Sequence, residues 1–136
     1  MRFALGTDEH TPLVEVLTSA LADLGHEAEV VADGDPWPDV GRRVGQAVAE
    51  GRVERGVVCC WTGTGVSMAA NKVPGVRAAL CTDAETARGA RRWNDANVLA
   101  LGLRLTSPEV AREMLDAFCT TPPEAGEAEL VARLDP

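Results

Sequence analysis

Apolar residues fall along this chain in two alternating rhythms. Short continuous runs, "RFALG" (2–6), "EAEVVA" (27–32), "RGVVCC" (55–60), "GVRAALC" (75–81) and "ANVLALG" (96–102), are separated by longer stretches in which apolar positions recur every three or four residues. The runs predict five strands and the stretches predict helices between them. In "TPLVEVLTSALADLG" (11–25), Leu13, Val14, Leu17, Leu21 and Leu24 share one helical face before Gly25 stops it, and "PWPDVGRRVGQAVAEG" (36–51) turns Val40, Val44, Ala47 and Val48 inward and stops at Gly51. A short helix runs through Ala69 and Ala70, and a polar one spans "DAETARGARRWN" (83–94). Another, "SPEVAREMLDAFC" (107–119), is started by Ser107, with Pro108 at the first position, where a missing N–H costs nothing.

Strands whose apolar residues run on without alternation are buried on both faces, the mark of a parallel sheet covered by helices. The predicted fold class is therefore α/β, three layers (α/β/α) around a five-stranded parallel sheet. The 136 residues suffice for one domain with a real core, placed at 1–120, and the remaining 121–136 read as a linker and a weak terminal helix. In such sheets ligands bind at the carboxyl ends of the strands, so "GTDEH" (6–10), "CWTGTGVS" (60–67) and "LGLR" (101–104) are expected to cluster.

Charge and composition narrow the function. Thirteen Lys and Arg stand against 21 Asp and Glu, a formal net charge of -8 without any basic block, so neither nucleic acid nor an anionic membrane is an expected partner. No run approaches the ~20 apolar residues of a membrane span, and no leader pattern precedes the first strand, so the expected location is the cytoplasm. Cysteines 59, 60, 81 and 119 lack metal-ligand spacing. Adjacent Cys59 and Cys60 would face opposite sides of a strand, which disfavours a disulfide between them, so reduced thiols and no metal are expected.

The glycine loop has two readings from its own residues. Its amides, backed by a helix amino end, could cradle an anion, or Gly63 and Gly65 could merely permit a tight turn. Nucleotide binding is disfavoured, because the loop lacks a P-loop lysine and has Met68 where a dinucleotide fingerprint needs its third glycine. Cys60 is likewise either a working thiol or the last core residue of its strand.

The run "GVVCCWTGTGVSMAANKVPGVRAALC", with "GTD" at 6–8, "WPDVGRRVGQAVAEG" before it and "RRWNDANVLALGLRL" after it, resembles the ribose-5-phosphate isomerase B and galactose-6-phosphate isomerase family over residues 2 to about 119. The resemblance implies a Rossmann-like domain that forms homodimers with active sites shared between subunits. It also implies aldose–ketose interconversion through a cis-enediolate, with neither metal nor cofactor. Cys60 matches the base that moves the carbon-bound proton, and Thr62 the residue that handles the hydroxyl proton. Gly63, Thr64, Gly65, Val66 and Ser67 match the amides that hold the developing charge. A free thiol, with a pKa of about 8.5, is mostly neutral near pH 7, and the same helix end that steadies an enediolate favours a thiolate.

Four positions depart from the family pattern. Relatives follow Asp8 with a phosphate-binding histidine, whereas this chain has Glu9 and, one place later, His10. Relatives have a histidine that opens cyclic sugars where this chain has Trp93, and an indole N–H is no acid near neutral pH. The tail offers Glu124, Glu127 and Glu129 with Arg133 where relatives carry two phosphate-closing arginines, and Trp61 fills a usual glycine position. Asp8 and Asn94 remain as hydroxyl ligands, Asn94 reaching the neighbouring subunit's site, and Arg104 matches a phosphate-contacting arginine. The expected substrate is accordingly an atypical sugar: open-chain, short, carrying an amine or lacking phosphate. Epimerisation through the same enediolate and a non-catalytic sugar-binding or subunit role stand as alternatives.

Overall fold

The computed structural model describes residues 1–135, and in chain order it alternates strand and helix throughout. The elements are β1 (Arg2–Thr7), α1 (Pro12–Asp23), β2 (Glu27–Asp33), α2 (Trp37–Ala49), β3 (Arg55–Cys60), α3 (Thr64–Asn71), β4 (Ala78–Leu80), α4 (Ala84–Asn94), β5 (Val98–Gly102) and α5 (Pro108–Thr120). A 3-10 turn (Ala125–Glu127) and a short α6 (Ala128–Ala132) end the chain. All strand pairs are parallel, in the order β2-β1-β3-β5-β4. Side-chain caps start α1, α4 and α5: the Thr11 hydroxyl, the Asp83 carboxylate and the Ser107 hydroxyl accept from the Leu13, Thr86 and Val110 amides.

Two cores flank the sheet. On one face Phe3, Leu5, Val57, Leu99 and Leu101 pack under α1, α4 and α5, around Leu17, Leu21, Met114, Leu115 and Phe118. On the other, Ala4, Val58, Val98 and Ala100 pack under α2 and α3, around Val40, Val44, Val66 and Ala70. The three-layer architecture with five parallel strands therefore stands as read from the sequence. No helix among the described residues is long and apolar enough to cross a membrane.

The expected burial of every strand on both faces holds for β1, β3 and β5, but β2 is mostly exposed and β4 partly so, because both are edge strands. The expected strand at 75–81 shortens to three residues. The Arg77 amide is taken by the Asn97 side chain at 2.7 Å and that of Ala78 by the Asn71 side chain at 2.8 Å, so side-chain amides occupy the backbone where a ladder would continue.

The helices after β1 and β3 leave toward opposite faces, α1 to the first core and α3 to the second. Neighbouring strands whose connections diverge in this way open a crevice beyond their carboxyl ends. Register fixes what lines it. Thr7 pairs with Cys59, and Cys60 with Gly102.

Candidate active site at the carboxyl ends of β1, β3 and β5

Each wall of the crevice is shaped by local hydrogen bonding. Thr7 is fully buried, and its hydroxyl donates to the Glu9 carbonyl at 2.7 Å, turning the chain over the end of β3. There the Asp8 amide donates to the Cys59 carbonyl at 3.2 Å. On the opposite wall the Leu103 amide donates to the Cys60 carbonyl at 2.9 Å and the Arg104 amide to that of Trp61 at 3.1 Å. The three loops expected to cluster do so, held by backbone bonds to residues 59–61.

The two adjacent cysteines separate as alternation requires. Cys59 lies in the α1/α4/α5 core and Cys60 in the α2/α3 core, where it ends β3 with 6% of its surface exposed. Burial pushes the Cys59 thiol far above the usual range, Cys81 up to about 12 and Cys119 up to about 11, so these three stay protonated near neutral pH. All four cysteines are free, and among the described residues no group of three or more His, Cys, Asp and Glu is placed to hold a metal ion.

Beyond Cys60 the chain turns at Gly63, which caps α3 with φ of 80°. A side chain is disfavoured there twice over, since a Cβ would also lie 2.6 Å from Leu80 Cδ1 and 2.8 Å from the Leu101 carbonyl carbon. The Gly63, Thr64, Gly65 and Val66 amides find no hydrogen-bond acceptor among the described residues. They are the open donors of a helix amino end and carry its partial positive charge. Ser67 differs from the other loop positions, because its amide already donates to the Gly63 carbonyl at 3.2 Å. The Thr62 and Thr64 hydroxyls share a hydrogen bond of 2.8 Å. Trp61 is 58% exposed.

Asp8 is the electrostatic exception. Its Oδ1 is buried without a hydrogen-bond partner, alone in this among side-chain atoms of the described residues. Loss of solvent and, next, the neighbouring Glu9 charge raise its pKa, against the pull of the Asp8 and Glu9 amides.

Other expected site residues lie apart from the loop. His10 is held between carboxylates at the side of the crevice, Nδ1 2.8 Å from Asp33 and Nε2 3.0 Å from Glu15. Glu9 is exposed. Trp93 is 53% exposed and its ring lies over Gly89, while Asn94 lines a groove with Leu80, Thr86 and Asp135 whose lining includes none of residues 60–67. The tail docks on the same side: Glu124 pairs with Arg92 at 3.4 Å, and Arg133 spends its charge on Glu129 at 3.2 Å. Arg104 is exposed and, among the described residues, has no acidic partner.

One contributor was missed from the sequence. Trp37, at the start of α2, packs against Gly65, where a Cβ would lie 3.0 Å from two indole ring carbons. The two residues are 28 positions apart, and only the packing of α2 on α3 joins them.

Comparison with known proteins places this geometry. The ribose/galactose isomerase family profile matches residues 3–135. A D-erythrulose-4-phosphate isomerase of Pectobacterium atrosepticum is 42% identical over 90 residues, 66% of this chain and 59% of that protein. The galactose-6-phosphate isomerase subunit LacB of Clostridium acetobutylicum is 35% identical over 125 residues, 87% of this chain and 71% of that one. The solved ribose-5-phosphate isomerase B of Clostridium thermocellum superposes with a TM-score of 0.90 at 35% identity, covering 98% of this chain and 95% of that one. The chain belongs to the ribose/galactose isomerase family. Its match spans about three fifths of the erythrulose-phosphate relative's length.

Proposed function

We propose that this protein is an aldose–ketose isomerase acting on a sugar phosphate through a cis-enediolate, with Cys60 as the base. In the forward sense the Cys60 thiolate removes the proton from the carbon beside the carbonyl, and the electron pair moves onto the carbonyl oxygen. The Gly63, Thr64, Gly65 and Val66 amides hold that charge, Thr62 hydrogen-bonds the hydroxyl whose proton moves between the two oxygens, and the thiol returns its proton to the neighbouring carbon. Asp8 binds a substrate hydroxyl and Arg104 the phosphate. The scheme uses protein groups alone and no cofactor.

The observation that carries this reading is the four unfilled amides that follow Cys60 on the turn into α3. In other enzymes, loss of one such donor costs roughly a hundred- to a thousandfold in turnover, so a preformed set beside a thiol is a strong device for an enediolate. The separation of Trp93 and Asn94 from the loop supports a homodimer in which a second copy brings them to the site.

Of the atypical sugars expected from the sequence, a short, open-chain sugar phosphate is the substrate proposed. Trp93 supplies no acid for ring opening, and Glu9 and the tail carboxylates disfavour a phosphate cradle of the usual kind. The relative named for erythrulose 4-phosphate, a four-carbon ketose phosphate, is consistent with a short chain. Incubating the protein in deuterated water with erythrulose 4-phosphate, ribose 5-phosphate and galactose 6-phosphate tests the reading. Deuterium should enter carbon of at least one, with its isomer appearing; an epimer in place of the isomer would make the enzyme an epimerase. The near burial of Cys60 favours the rival, a non-catalytic sugar-binding subunit, which predicts a melting shift with sugar phosphate and no exchange.

A further inference from the structure

The proposed reaction has one proton with no reservoir. Moving a carbonyl from one carbon to the next requires the proton on the adjacent hydroxyl to travel between two oxygens, and Cys60 is occupied with the carbon-bound proton. The Thr62 hydroxyl can pass a proton on only as it receives one, and it is already paired with Thr64 at 2.8 Å. Both imidazoles are engaged elsewhere: His10 between Asp33 and Glu15, and His26 with the N-terminal amine at 2.8 Å.

Asp8 has the placement and the unspent capacity. Its amide is fixed to the Cys59 carbonyl at 3.2 Å, so the residue stands at the end of β3 beside Cys60, and the side chain remains only partly exposed. Its Oδ1 is buried with no partner. A native protein keeps few such atoms, and one on the turn beside the end of β3 is explained by a hydroxyl that completes it. The groups acting on it are the Glu9 carboxylate and the Asp8 and Glu9 amides on its own turn and Cys59 on β3; none is a cationic side chain.

Resting on the isomerase reading above, we infer that Asp8 is the proton carrier between the two substrate oxygens. As Cys60 takes the C2 proton of an aldose, the C1–C2 double bond forms and charge collects on O1. The O2 hydroxyl gives its proton to the Asp8 carboxylate, and Asp8 delivers it to O1. The O2 electron pair then forms the C2 carbonyl while C1 takes the proton back from Cys60. C1 is reduced, C2 is oxidised, and both side chains return to their starting states. Burial and the Glu9 charge make the carboxylate a stronger base than an ordinary aspartate, which suits it to the exchange.

Asp8→Asn tests the role, because asparagine keeps the size and hydrogen bonds but cannot carry the proton. With erythrulose 4-phosphate, ribose 5-phosphate and galactose 6-phosphate in deuterated water, the readout is deuterium in recovered substrate divided by isomer formed. The variant should lower isomer formation by about a hundredfold and raise that ratio at least about tenfold, as the enediolate returns to the carbon it came from. An unchanged ratio, with both quantities falling together, assigns Asp8 to binding or structure and overturns the inference alone. Absence of exchange by the wild type with all three probes removes the isomerase reading, and the carrier with it.

Discussion

Trp37 and Gly65 touch so closely that the indole of one occupies the space where the other would carry a side chain, two ring carbons lying 3.0 Å from the Cβ position. The contact ties the first turn of α3, with its open amides, to the start of α2. Gly65→Ala forces the partly exposed indole or the loop to move. The expected cost is about 1–3 kcal/mol, read as a melting temperature lower by several degrees. Turnover of the exchanging sugar phosphate should fall more than affinity, because the misplaced amides serve the enediolate more than the ground state. Trp37→Phe, which keeps a flat ring on the glycine, should retain most of the activity.

Much of this was legible in the chain. The alternation of runs such as "RGVVCC" with periodic stretches carries the three layers, and the loop after Cys60 is legible as an anion cradle or a bare turn. What escaped had a physical reason. Edge position exposes β2, and side chains of Asn71 and Asn97 cut β4 short, and neither pairing is written in local pattern. Sequence spacing likewise gives no warning that Trp37 lies on Gly65 or that the Ser67 amide is already used. His10, a candidate by its nearness to Asp8, is claimed by Asp33 from β2 and Glu15 from α1.

That pairing makes a pH-dependent prediction. The hydrogen bond with Asp33, then the Asp33 and Glu15 charges, raise the His10 pKa above its ordinary value of 6.5. A group whose pKa is raised on folding stabilises the fold below its unfolded pKa and loses that contribution as pH rises through the folded value. The melting temperature of the wild type minus that of His10→Asn should therefore be positive near pH 5.5 and shrink toward zero near pH 8.5. A difference that is constant across this range would show that the pairing does not persist in solution.

Arg104 predicts a split in kinetic constants. Its amide is fixed to Trp61 while its guanidinium meets no carboxylate among the described residues, leaving the charge for a ligand. Arg104→Ala should raise KM for a sugar phosphate about tenfold, in keeping with the ~1.5–3 kcal/mol of a charge-assisted hydrogen bond, and change kcat by less. Thermal stability should be unaffected, since the side chain is exposed.

The central claim is that one of two adjacent thiols moves the proton. Cys59→Ala removes a fully buried core sulfur and should lower stability by about 1 kcal/mol while leaving exchange in place. The most direct measurement is deuterium wash-in to the carbon-bound position of the active sugar phosphate, comparing wild type with Cys60→Ala. The account predicts exchange at the background rate for the Cys60 variant with its melting temperature within a few degrees of wild type; exchange that continues undiminished without that sulfur would contradict it.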